Sequence, residues 1–305
     1  MEPRVAAVVL AAGRGARLAP LTDDTPKPLL SVGGRALVDH AIAKSRAAGA
    51  RHVFVNAFHA APALVAHLAE ADDVTVRVEE RLTGPAGALR LFESELQGFD
   101  AVLVVSGDTY FDDDLEPLVR SFRQFRSSLT IATVETDHAY RFGVLRVAED
   151  GTVLEAEEKP NVEAHEKHQV STGIYCLDPT AISLLPRQGT VDFVTDLVPA
   201  VWNAGGSVRT WPLRGSWSDV GTFATFLGAN LKAARSAPGG HLVHADASVE
   251  AGVHLGGSTV IGAKATVGAG ATLIDTVVLD GAVVPRCQVV VGGIISKGTT
   301  DHDAH

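Results

Sequence analysis

Seven apolar residues near the end of the chain recur every six positions without a break: Val243, Val249, Leu255, Ile261, Val267, Leu273 and Leu279. Small or β-branched residues stand four places after most of them, at Val253, Thr259, Ala265, Ala271, Val277 and Val283. Glycines crowd the intervals (Gly252, Gly256, Gly257, Gly262, Gly268, Gly270). A six-residue period fits neither a heptad nor a single amphipathic helix. It suits a parallel β-helix, in which each hexad forms one flat side of a coil and its apolar residue points inward. The run predicts a short β-helical domain of about three coils over 241–298. The turn-rich string Ser236-Ala237-Pro238-Gly239-Gly240 reads as the linker before it.

Upstream the pattern is different. Residues 5–10 form a continuous apolar run, as a parallel strand buried on both faces requires. Helix-like and strand-like segments then alternate: helices over 37–48, 62–71, 86–96 and 115–125, strands over 53–55, 74–78, 101–106 and 129–134. This order predicts an α/β domain over 1–235, with a mostly parallel, Rossmann-like sheet and helices on both faces. Further strands are expected at 144–147, 153–156, 173–177 and 208–213, and helices at 193–203 and 221–234. The chain's 305 residues suffice for this large domain and a smaller repeat domain.

Composition narrows the function classes. A net charge of −10 argues against a general nucleic-acid-binding surface, although a local cluster of cations can still hold an anionic substrate. The only cysteines, Cys176 and Cys287, supply neither a disulfide framework nor a zinc pattern, and a reducing cytoplasm is the expected location. The apolar start is too short for a signal peptide and runs directly into Gly13, Arg14, Gly15 and Arg17. No apolar run reaches the ~18 residues of a membrane span.

The residues that can carry chemistry begin at the end of the first strand. The string Leu10-Ala11-Ala12-Gly13-Arg14-Gly15-Ala16-Arg17-Leu18 is followed by Pro26-Lys27-Pro28-Leu29. A glycine-rich loop at the carboxyl end of a parallel strand lets backbone N–H groups approach a polyphosphate or a base. Arg17 and Lys27 add positive charge where pyrophosphate would be held. A P-loop would need Gly-Lys-Ser/Thr and a dinucleotide fingerprint a third glycine near Leu18, and neither is present. Asp108 leaves the apolar run 101–106 at the same kind of strand end, where a magnesium ion can combine a few carboxylates with substrate phosphates. Asp108 can equally start a turn, and Asp112, Asp113 and Asp114 are better placed to cap the next helix. Gly84-Pro85 can be an ordinary helix start, Glu157-Glu158-Lys159 a solvated charge run, and Asp219 a helix cap.

Residues 10–30 resemble the signature of the sugar-phosphate nucleotidyltransferases, such as mannose-1-phosphate guanylyltransferases and glucose-1-phosphate thymidylyltransferases, here joined to a left-handed hexapeptide β-helix. The resemblance covers residues 1–230, because further motifs follow in the family's order. It implies that Leu10, Ala11, Ala12, Gly13 and Gly15 contact the base and phosphates, and that Arg17 and Lys27 hold the triphosphate. Glu80 and Gly84, in Glu80-Arg81-Leu82-Thr83-Gly84-Pro85-Ala86, match the family's base- and sugar-contacting loop, with Leu82 and Pro85 as departures. Asp108 and Asp219, the latter in Trp217-Ser218-Asp219-Val220-Gly221, are implied to bind Mg²⁺. Gly143 is implied to lie against the sugar, Glu158 to accept from its hydroxyls and Lys159 to pair with its phosphate. Ser171 and Thr172, on the strand lining that pocket, depart from the family's usual residues.

The implied reaction is an in-line displacement. The sugar-phosphate oxygen attacks the α-phosphorus of a nucleoside triphosphate and pyrophosphate leaves. GTP with mannose 1-phosphate is the favoured pair, and dTTP, UTP or ATP with glucose 1-phosphate or a cyclitol phosphate is the alternative. A non-catalytic subunit that binds nucleotide sugars is a rival reading. Acyl transfer by His241, His244 or His254 is a second rival, which a repeat this short disfavours. The expected partners are the two substrates and further copies of the chain, with no nucleic acid and no membrane. The tail holding His302 and His305 is expected to be disordered.

Overall fold

The computed structural model describes residues 4–23, 25–162 and 166–303. The chain divides into two compact units. One comprises Met1–Arg14 and His40–Trp217, the other Gly15–Asp39 and Ser218–His305. The stretch after the glycine-rich loop and the helix Phe223–Arg235 therefore group with the repeat, across the linker that composition marks.

The first unit is built on a nine-stranded sheet. Along its main path the strands run Val153–Glu158, Gly143–Val147, His168–Leu177, Ala101–Ser106, Val5–Leu10, Ala50–Ala57 and Val74–Val78. Leu129–Thr136 pairs with His168–Leu177 and with Val208–Pro212. Val5–Leu10 is parallel to both neighbours, and Val74–Val78 is parallel to Ala50–Ala57. The strands from the middle of the chain add an antiparallel half, in which His168–Leu177 opposes Ala101–Ser106. Every residue from Val5 to Val9 and from Ala101 to Val105 is buried. Side chains alternate between the two faces of a strand, so both faces are covered, as the unbroken apolar runs require.

Two expected helices differ from the sequence reading. Residues 86–96 form a 3₁₀ stretch, Gly87–Phe92, followed by one α-turn, Glu93–Leu96. The amides of Ala86 and Gly87 both donate to the Val191 carbonyl, which anchors the start of the segment. Residues 193–203 divide into a π-turn, Phe193–Leu197, and an α-helix, Val198–Asn203. Pro199 lacks the N–H that a continuous ladder would need.

In the second unit, three parallel sheets stack as the sides of a β-helix. Ile261, Val267, Leu273, Val278, Val284, Val290 and Ile295 fill its core. The hexad therefore slips by one after Leu273, and Val278 rather than Leu279 points inward. The strand registers show why. The first coil advances 18 residues, with His254 opposite Thr272, and the next advances 17, with Thr272 opposite Val289. Asp275, at φ 48°, makes the tighter turn. Val243 and Val249, expected inside, are exposed in the first coil, and Val283 is exposed because Ala282 takes its place. The expected disordered tail is also corrected. Thr299–Asp303, which includes His302, forms a strand antiparallel to Gly293–Ser296, and His305 lies outside the described residues. No helix among the described residues is long and apolar enough to cross a membrane.

Candidate active site

The parallel register brings chemistry to one sheet edge of the first unit. Leu10 pairs with Asn56 on one side and with Ser106 on the other, so three strands end at the same level. The Glu79 amide donates to Ala57 O at 2.8 Å, which brings the fourth strand's exit alongside. A cavity of about 340 Å³ opens at this edge, lined by Leu10, Ala12, Gly13, Asn56, Glu79 and Asp108, with Leu82, Gly84, Pro85, Ser106 and Thr190 completing the wall. Open α/β sheets place ligands at this edge, and the volume suits a small molecule.

Leu10, Ala12, Gly13, Gly84 and Asp108, all singled out in the sequence, line this cavity, and Asn56 and Glu79, which were not, give it a polar floor. Glu80 is exposed and does not line the cavity. Its neighbour Glu79 is 4% exposed and stands on the wall. One Glu79 oxygen accepts from Asn56 Nδ2 at 2.7 Å, and the other accepts from the Thr83 amide and hydroxyl at 3.0 and 2.8 Å. Asn56 Oδ1 in turn accepts from the Ala11 amide at 2.8 Å. This chain of bonds ties the glycine-rich loop to the 83–87 loop and sets the spacing of opposite walls. A Glu79→Gln substitution would turn an amide NH₂ toward a donor on either side. It should destabilise the protein by ~1–3 kcal/mol, read from the shift of the urea-unfolding midpoint. An unchanged midpoint would show that the network contributes nothing.

Asp108 has no capping duty. The following helix, Glu116–Phe125, starts at Leu115 without a side-chain cap. Asp112, Asp113 and Asp114, expected as caps, do other work. Asp112 accepts from the Ser216 hydroxyl, Asp113 from the amides of Arg214 and Gly215, and Asp114 pairs with Lys44.

A second cluster in the same unit gathers the expected sugar-site residues. Glu158 pairs across the sheet with Gly143. A Cβ on Gly143 would fall 3.0 Å from Glu158 Oε2 and 2.6 Å from a Val194 methyl, so only glycine leaves this space to the carboxylate. Lys159 is held by its amide to Phe142 O at 3.0 Å, and its ammonium lies 2.9 Å from Glu158 Oε1. The structure does not bring the Ser171 and Thr172 side chains to a surface. Thr172 is 1% exposed, and its hydroxyl donates to Ala132 O at 2.8 Å. Ser171 donates to the Tyr175 oxygen at 2.9 Å. Burial pushes the Tyr175 phenol well above its ordinary value, against the lowering effect of that hydrogen bond. Both hydroxyls are committed to internal partners, so these two positions pack the strand.

In the second unit, Gly15 and Asp219 organise the cations. Gly15 has φ 64°, and a Cβ there would sit 2.8 Å from the Lys27 Cβ. Glycine thus permits both the left-handed turn and the close passage of the lysine stem. Lys27 is 5% exposed, and its ammonium lies 3.7 Å from Asp219 Oδ1. The exposed Arg17 guanidinium approaches Asp219 Oδ2 at 3.9 Å. Asp219 is not the cap of the next helix. Thr222 accepts from the Thr225 amide there, in a reciprocal capping box. The histidines of the repeat form no cluster. His241 and His254 lie on different sheets, and His244 Nδ1 accepts from the Asp246 amide within its own turn.

The profile of the nucleotidyl transferase family matches residues 6–236, and the chain belongs to that family. It is 28% identical to the mannose-1-phosphate guanylyltransferase of Mycobacterium tuberculosis over 292 residues, covering 91% of this chain and 80% of that protein. It is 31% identical to the bifunctional protein GlmU of Anaeromyxobacter dehalogenans over 327 residues, covering 96% of this chain and 66% of that longer protein. Among solved structures, one described as a glucose-1-phosphate thymidylyltransferase from Bacillus anthracis matches with a TM-score of 0.68 at 28% identity, covering 75% of this chain and 95% of that one.

Proposed function

We propose that the protein is a magnesium-dependent nucleotidyltransferase that joins a nucleoside triphosphate to a sugar 1-phosphate and releases pyrophosphate. The observation that carries this reading is the cavity at the carboxyl edge of the parallel strands, where the glycine-rich loop and Asp108 share one wall. Membership of the nucleotidyl transferase family and the names of the relatives support the reaction class. Mg²⁺ takes one or two carboxylates and completes its shell with phosphate oxygens and water, and Asp108 on the cavity wall offers one such carboxylate. Asp108 and Asp219 are the carboxylates we assign to it. When bound, the ion polarises phosphoryl oxygens and offsets their charge.

The chain's own groups bind and orient. The amides and small side chains of residues 10–13 admit the base and phosphates against the Asn56–Glu79 floor. Glu158 accepts from sugar hydroxyls while Lys159 exchanges its carboxylate partner for the sugar phosphate. Lys27 and Arg17, which flank Asp219 at 3.7 and 3.9 Å, are the cations we assign to the departing pyrophosphate. No side chain acts as nucleophile, because the sugar-phosphate oxygen supplies that role.

GTP with mannose 1-phosphate is the pair we place first, on similarity to the mycobacterial guanylyltransferase. Pyrophosphate release should be measured for GTP, dTTP, UTP and ATP against mannose 1-phosphate, glucose 1-phosphate and a cyclitol phosphate. One pair should stand out. Silence across the whole matrix would leave a nucleotide-sugar-binding subunit as the better reading.

A further inference from the structure

The second unit contains a larger cavity, of about 630 Å³, that no step of the reaction uses. It lies between the 20–31 segment and the last coils of the β-helix. The slip in the hexad creates part of it, because Leu279 leaves the coil's core and instead lines this cavity with Leu21 and Leu30. Among the described residues its charged groups are Asp23, Asp280 and Lys297. Asp280 is fixed by the Ala263 amide at 2.8 Å, and the Lys297 stem lies where a Cβ on Gly281 would fall, 2.5 Å from Lys297 Cε.

We propose that this cavity is an effector site for an unphosphorylated, hydroxyl-rich ring, a hexose or aminohexose. Its volume falls within the ~300–1,000 Å³ of small-molecule sites. Leucines beneath a polar rim match a ring whose C–H face is apolar and whose edge carries hydroxyls. Two carboxylates accept from hydroxyls or an ammonium, and a single lysine offers too little charge to favour a phosphate against them. The 20–31 segment also carries Lys27, and lining residues bracket that lysine on both sides, from Leu21 and Asp23 to Leu30. A ligand that braces the segment would therefore shift the position of Lys27. This coupling rests on the proposed function, whereas the binding itself does not.

Titration calorimetry on the full chain tests the site, with glucosamine, glucose and glucose 6-phosphate as probes. Saturable binding of glucosamine or glucose, persisting with a nucleoside triphosphate present, is expected. Asp23→Asn and Leu279→Trp should each weaken it by ~10-fold or more. Asp23 is exposed, so its variant still decides the matter if the tryptophan disturbs folding. No saturable binding, binding confined to glucose 6-phosphate, or full-strength binding by Asp23→Asn overturns the proposal. With catalysis established, the bound sugar should move the triphosphate KM by ~3-fold or more. Heat of binding is read without turnover, so an inactive protein would sink the reaction and leave the site standing.

Discussion

Asp108→Asn should lower turnover by ~10³-fold or more, about 4 kcal/mol of transition-state stabilisation, while leaving the fold and its melting temperature intact. Two bonds from its neighbours hold the turn that presents Asp108. Gly107 donates to Leu10 O at 2.8 Å, and the Thr109 hydroxyl donates to Ser106 O at 3.0 Å. Asparagine has nearly the same volume, so the cavity wall keeps its shape. What it loses is a unit of negative charge and a hard oxygen donor at the proposed Mg²⁺ site, and an amide oxygen holds Mg²⁺ poorly. The expected signature is a collapse of kcat in a pyrophosphate-release assay, with an unchanged circular dichroism spectrum and a melting shift worth less than ~0.5 kcal/mol. Turnover within ~10-fold of the native chain would remove Asp108 from the metal site.

How far the sequence reaches can be judged residue by residue. The loop after Leu10 is legible because two physical requirements coincide there: an apolar run that only a doubly covered strand explains, and glycines where backbone must approach a ligand. Asp108 is legible for the same reason, one strand away. Glu79 is not, because the strict alternation of Val74–Val78 would put it on the polar face with Thr75 and Arg77, whereas Val78 is exposed and Glu79 is buried at the exit. Asn56 resembles any polar strand end until the register sets it beside Leu10. The repeat shows the same limit. Val278 and Leu279 are both apolar, so a count by sixes runs on through Leu279 although the coil has already shortened by one residue. Ser171 and Thr172 look like pocket residues because hydroxyls fit either a ligand or an internal carbonyl, and only the strand pairing decides between them. The grouping of Gly15–Asp39 with the repeat has no local signal, since it depends on contacts distant in sequence.

Lys27→Met should cut kcat/KM by ~10²–10³-fold and leave stability nearly unchanged, because the two effects draw on different parts of the same side chain. The stem packs beside Gly15, and methionine preserves that volume. The ammonium is almost fully buried and lies 3.7 Å from Asp219 Oδ1. Removing a buried charge relieves its desolvation cost, and Asp219 keeps Arg17 at 3.9 Å and some solvent, so it is not left as a bare buried anion. Unfolding free energy should therefore move by less than ~1 kcal/mol. The proposed chemical step, by contrast, would lose a fixed cation assigned to the leaving group, and a water-poor setting makes such a cation worth several kcal/mol. Lys27→Arg should not restore the rate, because a bulky planar guanidinium does not reproduce the compact ammonium at this buried position. Steady-state pyrophosphate release and urea midpoints on the two variants test the argument together. A methionine variant within ~3-fold of native kcat/KM would make Lys27 a packing residue and return the triphosphate contact to Arg17 alone.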